Sequence, residues 1–116
     1  MNKVIERATA HFRARIGGSM HKLHVPEWEC DIWFKEANTL KDEAKLIELA
    51  QQGKTVEALV ETLIMKARNE DGSKMFSMPD KVTFMHEVDP QVIIRVVGEM
   101  NSIANEDKIL ADAEKN

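Results

Sequence analysis

Between Thr55 and Ala67, apolar side chains fall at Val56, Leu59, Val60, Leu63, Ile64 and Ala67, a continuous stripe at helical spacing. It is the clearest element in the chain, and Thr55 stands where a cap is expected. A similar period runs through Leu40, Ala44, Ile47 and Ala50, with Thr39 as cap and Gly53 as terminator. Ser77 with Pro79 in the first turn predicts a short helix to about Glu87. Asp89-Pro90 repeats that start signal for a longer helix bearing Val92, Ile93, Val96, Val97, Met100 and Ala104. Asn105-Glu106 is expected to interrupt it. Nearer the N-terminus, Val4, Ala8, Phe12 and Ile16 recur every fourth residue, and Gly17-Gly18-Ser19 ends that segment as a hinge.

The stretch from Met20 to Lys35 has a different period. Leu23 and Val25 alternate with Lys22 and His24, as in a half-buried strand, and Pro26 stops the ladder because it has no N–H to donate. Asp31-Ile32-Trp33-Phe34-Lys35 is a second strand-like run. The predicted fold is α+β, mainly α: a small N-terminal β-hairpin packed on a bundle of about four helices. Its parts are an N-terminal helix (1–18), the hairpin (19–36), a helical core (39–105) and a polar C-terminal tail (106–116). Trp28 and Trp33 are expected to anchor the hairpin, since large aromatic rings are costly to leave exposed.

Composition narrows the function. The chain has 116 residues, 43% of them hydrophobic and 31% charged, which suits one folded domain. Its net charge of -4 argues against nucleic acid, whose binders usually show a basic excess. A helix-turn-helix reader would need a basic recognition helix. The helix at Val56–Ala67 instead carries Glu57 and Glu61, and the one from Gln91 to Ala104 offers only Arg95. A small regulatory domain binding DNA or a transcription factor is therefore the alternative reading. No run approaches the roughly 20 apolar residues needed to span a bilayer. Cys30 is the only cysteine, so an intramolecular disulfide is excluded.

No catalytic or metal set emerges. His21 and His24 on a strand point to opposite faces, and nothing completes a metal site. Cys30 has no positioned base by spacing alone, and it reads as a structural thiol. A calcium loop placing Gly72 sixth would begin at Ala67 and end at Met78, neither of which supplies an oxygen ligand. Glu43, Glu48, Glu57 and Glu61 read as solvated helix faces. No cofactor is expected, and the chain reads as a binding protein rather than an enzyme. Met75, Phe76, Met78, Phe84 and Met85 crowd soft apolar side chains around a turn, and they are the candidate partner-binding surface.

The segments His24-Val25-Pro26-Glu27-Trp28 and Ile32-Trp33-Phe34-Lys35 resemble the N-terminal signature of tail assembly chaperones from long-tailed (siphovirus-type) bacteriophages. Glu70-Asp71-Gly72 followed by Met75-Phe76, and Asp89-Pro90 with Ile93, Val97 and Met100, extend the resemblance over roughly Lys22 to Ala104. It implies a protein of the host cytoplasm that binds the tape-measure protein, a long helical chain, and keeps it soluble. The major tail-tube protein would displace it on polymerising, and many copies would act together as a homo-oligomer. It also implies a longer form made by backward ribosomal slippage. Glu114-Lys115-Asn116 can be encoded GAA-AAA-AAC, which contains a slippery heptamer.

Overall fold

A computed structural model describes residues 2–17, 20–35 and 38–114 of the chain. The first helix, α1, covers Lys3–Ile16, and the Asn2 side chain accepts a hydrogen bond from the Val4 N–H at 2.7 Å. Gly18-Ser19 of the expected hinge and the terminal Lys115-Asn116 lie outside the described residues.

The hairpin consists of β1, His21–Val25, and β2, Cys30–Phe34, antiparallel with His21 opposite Phe34 and Val25 opposite Cys30. Pro26–Trp28 forms one 3-10 turn between them, closed by the Glu29 N–H on the Pro26 carbonyl. Glu29 then sits at φ 50, a left-handed conformation that costs a residue with a β-carbon about 1–2 kcal/mol. Glu29→Gly is expected to relieve that cost in exchange for some chain entropy. The net gain should be about 0.5–1 kcal/mol, read as a rise in Tm. An unchanged or lower Tm would show that the Glu29 side chain compensates for the strain.

The helical layer begins with α2, Leu40–Gln51, capped by the Thr39 hydroxyl on the Asp42 N–H. It ends where Gly53, at φ 77, turns the chain left-handed and places the Gly53 and Lys54 N–H groups on the Ala50 and Leu49 carbonyls. That turn puts Lys54 at the cap of α3, Thr55–Lys66, so Thr55 is the first helical residue rather than the cap expected from its type. After α3 the chain is extended, and Arg68 exchanges both backbone hydrogen bonds with Trp33 of β2. A single bridged residue has no period, so sequence patterning does not reveal it.

Two helix boundaries also differ from expectation. The fourth helix, α4, is Asp80–Glu87, two residues later than a Ser77 cap implies. The reason is a reversed role: the Asp80 carboxylate accepts from the Ser77 N–H at 2.8 Å and lies 3.3 Å from its hydroxyl. The fifth, α5, runs Pro90–Glu114, with Asp89 capping the Gln91 N–H. It continues through Asn105-Glu106, where a break and a polar tail were expected. Neither residue type removes a backbone donor or frees the chain as Pro or Gly would, so the helix carries on at a small cost.

The fold is α+β and mainly α. Val25, Ile32 and Phe34 of the hairpin meet Val60, Leu63 and Ile64 of α3, Phe84 of α4, and Val92, Ile93, Val96, Val97 and Met100 of α5. Helix α3 packs against α2, α4 and α5, while α5 also covers β1. Helix α2 contributes no buried residue and lies on the outside of α3.

Candidate partner-binding surface

The five residues expected to form one apolar surface are divided by α4. Phe84 is only 8% exposed, and its ring is edge-on to Phe76 at 4.9 Å and tilted against Trp28 at 6.1 Å. This aromatic trio joins the hairpin turn to α4 from within. Met75 and Phe76 are half-buried against the core, whereas Met78 is 45% exposed and Met85 is exposed as well.

The exposed residues open two separate clefts. Near the start of α4, Met75, Phe76 and Met78 line one with Ile64 and Met65 of α3. Near its end, Met85 lines a groove between α3, α4 and α5 whose floor is Leu59, Val60, Phe84 and Ile93. The walls of that groove include Val56 and Ile94, both exposed. Sequence reasoning assigned Val56 to the α3 stripe and did not single out Ile94. The available signal was that Ile94 directly follows Val92-Ile93, so the apolar sector of α5 is wider than one core face requires.

Trp28 and Trp33 occupy different faces. Trp28 packs against the core. Trp33 lies between the inward-facing Ile32 and Phe34, so its ring is on the outer face of the hairpin, with the Lys22 ammonium 5.6 Å from the ring centroid. Trp33 joins the helical layer through its backbone pairing with Arg68.

Charges also connect the elements. Glu27 of the hairpin turn makes a two-pronged contact with Arg95 of α5, Nη2 lying 2.7 Å from Oε1. The Arg95 hydrogen bond is the main reason the Glu27 carboxyl lies below its ordinary pKa. Arg95, the one basic residue between Gln91 and Ala104, is thus already engaged.

Glu61 corrects the expectation of a solvated carboxylate, being 2% exposed on the buried side of α3. Lys81 of α4 reaches Oε2 at 3.3 Å. Lys45 of α2 stands 2.9 Å from Oε1, close but off the axis of a hydrogen bond. Burial pushes the Glu61 carboxyl up, but the two lysines together hold it below 4.5. Glu57 also pairs with Lys81 at 3.3 Å. The partners lie 16 and 20 residues from Glu61 on other helices, beyond any local pattern.

Other chemistry is muted. Burial and then Asp31 raise the Cys30 pKa, away from a reactive thiolate. His24 meets Asp31 at 2.8 Å on the outer hairpin face, while His21 tilts against Phe34 at 5.3 Å. Among the described residues no group of three or more His, Cys, Asp or Glu could hold a metal ion, and no helix is long and apolar enough to cross a membrane.

This is the architecture of a small, mainly helical domain carrying a β-hairpin. Compared with solved structures, it matches a bacteriophage HK97 tail assembly chaperone with a TM-score of 0.58. The match covers 72% of this chain and 78% of the HK97 chain at 17% sequence identity. No protein-family model and no curated protein matches the sequence. At that identity the likeness is one of fold, and the fold agrees with the resemblance read from the residues.

Proposed function

We propose that this chain is a phage tail assembly chaperone that binds the tape-measure protein, keeps it soluble in the host cytoplasm, and is displaced as tail-tube subunits polymerise. The fold shared with the HK97 chaperone carries this reading. The open apolar cleft at Met75, Phe76 and Met78 supplies a physical means: a long helical client exposes apolar stripes that aggregate unless a groove covers them. Flexible methionines accommodate varied side chains along such a client. No nucleotide or other cofactor is required, because a tube subunit competing for the client releases it by mass action. A longer form made by backward ribosomal slippage belongs to the same proposal.

Co-expression with the tape-measure protein encoded in the same tail gene cluster tests this. The client is expected to be soluble with the wild-type chain and to precipitate without it. Met78→Asp should reduce the soluble fraction several-fold while leaving the helical circular dichroism unchanged, because Met78 is exposed and outside the core. A client that stays insoluble with the wild-type chain would overturn the proposal. A Met78→Asp chain that rescues as well as wild type would move the client to another face.

A further inference from the structure

Helix α2 buries none of its residues, although it lies along α3. Its inner side is Asp42, Glu43, Leu46 and Leu49, all half-buried, while Leu40 and Ile47 remain 83% and 54% exposed. Two half-covered leucines withdraw little apolar area from water, so α2 is seated far more weakly than α3 is on α4 and α5.

The seam beneath α2 is also polar. Glu61 lies in it, with Oε2 held by Lys81 of α4. Its Oε1, beside Lys45 of α2, ends without a hydrogen bond. A buried acceptor without a donor is costly, and lifting α2 returns that oxygen to water while Lys81 stays in place. Among the described residues, Lys45 with Glu61 is the only ion pair that joins α2 to another element. The connection from α2 to α3 turns at Gly53, at φ 77, where a β-carbon would meet no atom within 4 Å. We propose that α2 is a hinged cover. It swings off α3 about Gly53 as one unit while the hairpin, α3, α4 and α5 stay folded, and Lys45 on Glu61 is its latch.

The cover adjoins the Met75–Met78 cleft. Met65 lines that cleft, and it also lines a second one with Thr39 and Asp42 at the head of α2. Ala58, Glu61 and Met65 share one side of α3 by helical spacing. With α2 lifted, the cleft therefore continues past Met65 along this row. On the client reading above, on which this consequence rests, opening lengthens the surface in which a helical client lies.

Hydrogen exchange on the full chain without client, resolved by residue, tests the cover. The hydrogen-bonded amides of α2 are expected to exchange as one group, tenfold or more ahead of those in α3 and α5. Low denaturant should hardly speed them, the mark of an opening that exposes little surface. Lys45→Ala removes the latch and keeps a good helix former, whereas Gly53→Ala strains a left-handed turn that only the closed state requires. Each alters an exposed position, and each should raise α2 exchange about tenfold with circular dichroism unchanged. Both should also solubilise the client at several-fold lower chain concentration, because more of the chain is open. Amides of α2 that exchange only together with α3 and α5, or in a gradient from one end, would overturn the cover. So would wild-type α2 exchange in both variants. Variants that open yet solubilise no better would overturn its role at the cleft. A wild type that never solubilises the client would instead sink the chaperone reading and leave the exchange result standing.

Discussion

Phe84→Ala is expected to lower the unfolding free energy by about 3–5 kcal/mol, the usual cost of emptying a buried aromatic site. Phe76 and Trp28 both pack on Phe84, and its loss removes the ring that each of them rests against. Against a total of about 5–15 kcal/mol for a small domain, this is a large share. It should appear as a fall in Tm of more than about 10 °C. Client solubilisation would fall too, but through loss of fold. The comparison with Met78→Asp makes the assignment: one variant is destabilised, while the other keeps its stability and, under the proposed function, loses client binding. A Phe84→Ala chain of near wild-type Tm would show that the aromatic trio is not part of the core.

The second large effect is expected at Glu61. Replacing Lys45 and Lys81 together by Met strands a buried carboxylate, and breaking a buried ion pair in this way costs about 3–5 kcal/mol. Adding Glu61→Met should restore most of that loss or exceed it, since apolar packing often matches a buried charge set. Chemical denaturation of the two variants and the wild type measures both steps. If the double lysine variant is as stable as wild type, Glu61 is not stabilised by its partners.

The same cluster sets a pH dependence. Because the folded pKa of Glu61 is below 4.5, its stabilisation is present above the unfolded value and is lost as pH falls through the depressed one. For Lys81, burial lowers the pKa but Glu61 and Glu57 together raise it above 10.5. That contribution is present below the unfolded value and is lost as pH rises through the raised one. The wild type should therefore be least stable at the acid and alkaline extremes. The triple Met variant should lose less in both directions, with Glu27 and Asp71, also depressed, retaining part of the acid limb.

The fold was legible where one residue type acts on its neighbours. The stripe from Val56 to Ala67 can bury itself only as a helix, Gly53 turns left-handed because nothing forbids it, and alternation at Leu23 and Val25 selects a strand. What escaped depends on distant partners. Glu61 reads as solvated because Lys45 and Lys81 come from other helices. Arg68 pairs with Trp33 across 35 residues, and no local period marks it. At the candidate surface, the crowding of Met75, Phe76 and Met78 was visible. Which of those side chains turn inward was not, because Phe84 and Trp28 decide it through packing.

Helix α5 supplies five of the thirteen core side chains, Val92, Ile93, Val96, Val97 and Met100, all made after the rest of the core. During synthesis the hairpin and α3 leave the ribosome with Val25, Ile32, Phe34 and Leu63 uncovered. At roughly 5–20 residues per second, the interval until α5 follows lasts on the order of seconds. Helix α5 therefore acts as a closing element, and cooperative folding waits for it. A ribosome that halts before Pro90 would release a chain with an open apolar seam, the same hazard that a chaperone covers in its client.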